Sequence, residues 1–72
     1  MAVREHRRIL GKAIRSYREK AGFTQERLAE KAELSAKYLG EAERGVVNIS
    51  VDSLARLSRV LKIRINDLTR DI

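Results

Sequence analysis

Seventy-two residues with a net charge of +6, 43% apolar side chains and no cysteine describe a single small domain, residues 1–72, that neither disulfides nor thiolate-held metals can staple. A chain of this length buries only about 60% of the surface its unfolded form exposes, so it must rely on close helix packing and gains from association with a second copy. No apolar run approaches the roughly 20 residues that span a bilayer, no secretory signal is expected from the charged N-terminus, and the expected setting is cytoplasmic.

There is no proline, and helix content is expected to be high. The first helix is expected over residues 4–21, with residues 1–6 fraying into a basic tail. Ile9, Leu10, Ala13, Ile14 and Tyr17 form its apolar stripe. Gly22 suits the left-handed position just past a helix end, and Lys20 suits the negative end of the helix dipole. Thr24 is a good N-cap for a second helix over residues 25–32, with Phe23 packing on Leu28 as a hydrophobic staple. Glu33 is expected to carry the left-handed turn, at a cost of about 1 kcal/mol for a residue with a Cβ, and Leu34 returns to the core.

Ser35 caps the third helix. Leu39 and Ala42 face inward there, and Ala36, Lys37, Gly40, Glu41 and Arg44 fall on the opposite side. Gly45 ends the helix. Gly40 inside it costs about 1 kcal/mol relative to Ala, so it is read either as a gap for close approach of DNA or a neighbouring helix, or as merely tolerated. A loop over residues 46–49 follows. Ser50 caps the fourth helix, whose buried face is expected from Val51, Leu54, Leu57, Val60 and Leu61. Residues 62–65 connect to a last short helix over residues 66–69, with Leu68 and Ile72 as its apolar contacts.

Charge is unevenly spread. Residues 1–22 hold seven Lys/Arg against two acids, residues 23–45 four against five, and residues 46–72 five against three. The central helix pair is thus close to neutral between positive flanks. That arrangement suits phosphate attraction from the flanks and discrimination from the centre, or else is an ordinary solvated basic surface. Catalysis is not expected: His6 is the sole histidine, no glycine-rich phosphate loop is present, and Glu26, Glu30 and Glu33 read as helix surface. No cofactor, metal site or small-molecule ligand is expected.

The segments TQERLAEKA (24–32), LSAKYLGEAERG (34–45) and SVDSLARLSRVLKI (50–63) resemble the phage-repressor/Cro-type helix-turn-helix family, or XRE family, over about residues 9–68. Thr-Gln-x-x-Leu-Ala followed by Tyr-Leu-x-x-x-Glu-Arg-Gly carries the likeness, and within the family the chain looks most like restriction–modification controller proteins. The resemblance implies an all-α, compact five-helix bundle, a lambda-repressor-like domain whose third helix enters the major groove of double-stranded DNA. It implies a homodimer on a palindromic or near-palindromic operator, acting as a transcriptional regulator or repressor. The competing reading is an antitoxin-type interaction module that binds DNA secondarily.

Carried over residue by residue, the resemblance puts Thr24 and Gln25 at a phosphate beside the second helix. It puts Ser35, Ala36, Lys37 and Glu41 at base-facing positions. Lys37 would donate to guanine, Glu41 would accept from cytosine or pair with Lys37, and Ala36 would touch a thymine methyl. Tyr38 either sends its hydroxyl to a phosphate or stays in the core, and Arg44 and Asn48 approach the backbone. Arg18 and Glu43 match a partly buried ion pair. The residues themselves suggest an apolar dimer edge of Ile63, Ile65 and Leu68, or else a closed intramolecular core. Three places depart from the family pattern: Glu33 for the usual turn glycine, Gly40 in the recognition helix, and Val46-Val47 in a loop where polar or basic residues are frequent.

Overall fold

The computed structural model describes residues 3–72, and the regular elements among them are all helices. Its elements are α1 (Val3–Lys20), α2 (Gln25–Lys31), α3 (Ala36–Glu43), α4 (Val51–Leu61) and α5 (Ile65–Thr69). Of the fraying tail expected over residues 1–6, positions 3–6 lie in the first turn of α1, and positions 1 and 2 lie outside the described residues. α1 packs on α3 and α5, α2 packs on α3 and α4, and α4 packs on α5. Ile14, Leu28, Leu39, Leu57 and Leu68 are fully enclosed at the centre, so each helix contributes one large side chain to a shared core.

Local chemistry fixes where the helices start. Thr24 Oγ1 accepts from the Arg27 N–H at 3.1 Å, Ser35 Oγ from the Tyr38 N–H at 3.0 Å, and Ser50 Oγ from the Ser53 N–H at 3.0 Å. Each satisfies an N–H that the helix itself cannot. The helix ends follow one pattern. At Gly22, Glu33, Gly45 and Lys62 the chain turns left-handed, with φ of 80°, 59°, 75° and 59°. In each case the next residue's N–H reaches back to the carbonyl five positions earlier, as Leu34 does to Ala29 at 2.8 Å and Ile63 to Ser58 at 3.0 Å. These are Schellman closures. The Arg56 guanidinium adds a hydrogen bond to the Ala32 carbonyl at 3.0 Å, closing the end of α2 from α4.

Glu33 and Lys62 hold left-handed backbone with a Cβ present, which costs about 1–2 kcal/mol, whereas glycine there would give back about 0.5–1 kcal/mol through its freer unfolded chain. Glu33→Gly is therefore expected to stabilise the fold by about 0.5–1 kcal/mol, read as a higher urea midpoint at unchanged slope. A lower midpoint would mean that the Glu33 side chain makes a compensating interaction.

Three apolar side chains lie elsewhere than their sequence pattern predicts. Val51 was expected on the buried face of α4 but is 72% exposed. At 3.6 residues per turn it lies about 120° round the helix from Leu57, while Ser53 lies about 40° away, and Ser53 is buried instead. Its hydroxyl accepts from Ser50 Oγ at 2.8 Å, so the serine is not left unsatisfied. Leu68 was expected at a dimer edge but is 1% exposed in the core, because α5 lies against both α1 and α4 and turns that side chain between them. Ile72, expected as an apolar contact, is 49% exposed.

The crossing of α1 on α3 needs a glycine that periodicity does not single out. A Cβ on Gly11 of α1 would strike the Glu43 carbonyl oxygen and sit 2.5 Å from that of Ala42. A Cβ on Gly45 would lie 2.9 Å from the backbone of Arg8. The N-terminal half of α1 is thus pressed onto the last turn of α3 by two absent methyl groups.

Candidate nucleic-acid interface

α2 and α3 meet across the Glu33 turn and leave one side of α3 uncovered. Along it Lys37, Glu41 and Arg44 recur at i, i+4 and i+7, which stacks them on one face. Lys37 and Arg44 are exposed and Glu41 is half-buried. Lys37 and Glu41 form no ion pair with one another among the described residues, whose ion pairs lie elsewhere. Ser35 is exposed at the start of the stripe and Ala36 is half-buried beside it. Thr24 and Asn48 are exposed, in the turn before α2 and the loop after α3.

Beneath the stripe lies a buried charge network. Arg18 Nε donates to Glu43 Oε2 at 2.7 Å and its Nη2 donates to Oε1 at 3.2 Å, a two-pronged pair between α1 and α3. The third prong, Nη1, donates to the Phe23 carbonyl at 2.8 Å. The side chains of Arg18 and Glu43 are only 11% and 3% exposed. The hydrogen bond to Glu43 raises the Arg18 guanidinium above its ordinary value, against the lowering effect of burial.

Gln25 Nε2 donates to Glu43 Oε1 at 2.9 Å, a link the sequence did not suggest. The ion pair therefore also orients the first side chain of α2. That amide lies over Gly40. A Cβ built there would meet Gln25 Oε1 and Arg44 Nη1, each at 3.4 Å. The missing side chain leaves a saddle on which Gln25 and Arg44 rest, and Gly40 is buried beneath them.

Tyr38 is half-buried, its ring against the core cluster. Its hydroxyl oxygen accepts from the Ser50 N–H at 3.2 Å, which leaves the phenolic proton free to donate and ties α3 to the start of α4. In the departing loop Val46 is 59% exposed while Val47 packs on the core. Ile63 packs at the core margin and Ile65 is half-buried, so of the three residues expected at a dimer edge these two retain surface. One feature was not assembled from sequence at all: Arg4, Arg7 and Arg8 of α1 share a cleft with Arg44. Their i, i+3, i+4 spacing marks a common helix face, but nothing in the sequence said which element that face meets.

A helix-turn-helix family model matches residues 14–68. The chain belongs to the XRE-type helix-turn-helix family. This is a family of DNA-binding, non-enzymatic transcriptional regulators. The control protein C.BamHI of Bacillus amyloliquefaciens is 33% identical over 63 residues, spanning 86% of this chain and 78% of that protein. SinR of Bacillus subtilis is 34% identical over 83% of this chain, which spans only 55% of SinR. Among solved structures, the restriction–modification controller protein C.AhdI from Aeromonas hydrophila superposes with a TM-score of 0.83 at 33% identity, over 85% of this chain and 92% of C.AhdI. SinR in complex with DNA superposes at 0.79 and 35% identity, over 82% and 95% of the respective chains. Among the described residues of this XRE-type chain, no helix is long and apolar enough to cross a membrane and no cluster of ligating side chains could hold a metal ion.

Proposed function

We propose that the protein is a controller-type transcriptional regulator that binds a palindromic or near-palindromic operator as a homodimer, with α3 in the major groove. The observation that carries this reading is the uncovered stripe of α3, polar and firmly backed, in a chain whose positive charge lies on either side of it. Lys37 reads a guanine edge, Glu41 a cytosine amino group and Ala36 a thymine methyl, the chemistry that the major groove offers. Ser35 stands with them at the base-facing start of the helix, and Thr24, Gln25, Tyr38, Arg44 and Asn48 meet sugar and phosphate around that contact, fixing register without reading sequence. Ile63 and Ile65, beside the end of α4, supply the two-fold contact between protomers.

Selection from a pool of random duplexes tests the proposal. The expected product is an inverted repeat with half-site centres about 34–36 Å apart. Lys37→Ala is expected to relax preference at one position per half-site by about 1–3 kcal/mol, and Gln25→Ala to weaken all sequences alike. Recovery of no preferred sequence would overturn the reading in favour of a protein-interaction module. Unchanged affinity and preference in both variants would overturn the docking orientation.

A further inference from the structure

The family match begins at residue 14. The part of α1 that carries Arg4, Arg7 and Arg8 lies ahead of it, yet it is not a loose appendage. The Gly11 and Gly45 contacts press this segment onto the end of α3 closely enough to exclude a methyl group on either side. The result is an open cleft of about 400 Å³ lined by Arg4, Arg7, Arg8, Arg44, Gly45 and Val46. Arg44 is also the last member of the exposed α3 stripe, so the cleft continues that face rather than lying behind it.

The charges in this cleft are weakly countered. Glu5 pairs with Arg8 at 3.3 Å across exposed surface, which contributes little binding of its own. Glu43 is held by Arg18 and Gln25, and Glu41 is the remaining acid on the adjoining turn of α3. Nε of Arg7 is buried and has no hydrogen-bond partner among the described residues. A buried, unpaired guanidinium N–H is costly, and Arg7 also borders the apolar pocket of Leu10, Ala42 and Ile49. Four arginines line one opening, and arginine engages phosphate oxygens two at a time.

The geometry points to a second DNA contact in which Arg4, Arg7, Arg8 and Arg44 clamp backbone phosphates flanking the bases met by α3. This inference rests on the proposed docking of α3. It adds a strip of phosphate contact from the segment of α1 that precedes the family match.

Affinity for the selected duplex, measured against potassium chloride concentration, tests it on the full chain. Each lost phosphate contact lowers the slope of log K against log salt by about 0.9. Arg4→Gln/Arg8→Gln is expected to lower the slope by about 1.8 and weaken all sequences in parallel, with base preference unchanged. Lys31→Gln/Arg59→Gln removes the same charge from exposed sites outside the cleft and is expected to keep the wild-type slope. An unchanged slope in the first variant, or an equal fall in the second, overturns the clamp. If the wild type selects no sequence, the same slopes on random duplex decide the question, so failure of base reading and failure of the clamp give different results.

Discussion

Gly11→Ala is expected to cost at least about 3 kcal/mol, at the upper end of what overpacking does. The added methyl meets the carbonyl oxygens of Ala42 and Glu43, which are backbone and cannot change rotamer. α1 must lift from α3, and the Ile14 contact in the core and the Arg18–Glu43 pair lift with it. Helix propensity works the other way, by about 1 kcal/mol, and does not offset the clash. For a chain of this size, total stability is on the order of 5–10 kcal/mol and each kcal/mol moves the midpoint by about 4–8 °C. A fall of about 15 °C or more in a circular-dichroism melt is the expected result. Gly40→Ala is the comparison. Its methyl meets only side-chain ends at 3.4 Å, so the same exchange is expected to be neutral or to gain up to about 1 kcal/mol. Equal effects at the two glycines would refute the crossing geometry.

Glu43→Ala is expected to destabilise by about 3–5 kcal/mol, because Arg18 is left charged and buried without its partner. The loss is not the worth of the pair. Arg18→Met/Glu43→Leu removes both charges and is expected to recover most of the stability, since well-packed apolar replacements of buried pairs are often neutral or better. The part not recovered is attributed to the Phe23 carbonyl, which loses its bond to Arg18, and to the Gln25 amide, which loses Glu43. Urea titration of the two singles and the double closes the cycle, and a double variant no more stable than the worse single would refute the account. The sign with pH follows from the raised guanidinium. Its contribution is complete below the ordinary arginine value and fades only as pH rises through the elevated one. The arginine therefore adds no pH dependence at neutrality.

The helices were legible because their signals are local. Thr24, Ser35 and Ser50 each sit one residue ahead of a helix and act as caps in the fold, and the left-handed turn at Glu33 follows from where the apolar rhythm breaks. What crosses between helices was not legible. Gly11 is a gap in a stripe until the carbonyls of α3 are brought against it. Val51 looked buried because apolar residues at i and i+3 satisfy a helical count, but the arc that faces the other helices is centred on Leu57 and takes Ser53 in its place. Leu68 reads equally as an outer edge or a core residue, and only the path of α5 between α1 and α4 decides. In the candidate interface, Lys37, Glu41 and Arg44 share a face by spacing alone, and the Arg18–Glu43 pair came through family likeness. The turn of Gln25 onto Glu43 and the gathering of Arg4, Arg7 and Arg8 beside Arg44 depend on tertiary approach, for which one sequence carries no signal.

The Tyr38–Ser50 tether has a further consequence. With its first turn capped by Ser35, its flank held by that phenol and its last turn fixed by Gly45 and Glu43, α3 has no unfolded segment left to arrange for the docking proposed above. The entropy still to be lost belongs to a few long side chains such as Lys37 and Arg44, at about 0.5–1.5 kcal/mol each. On that proposal, matching sequences are sorted by the fit of a finished surface, and mismatched ones find little slack in the helix to absorb the error.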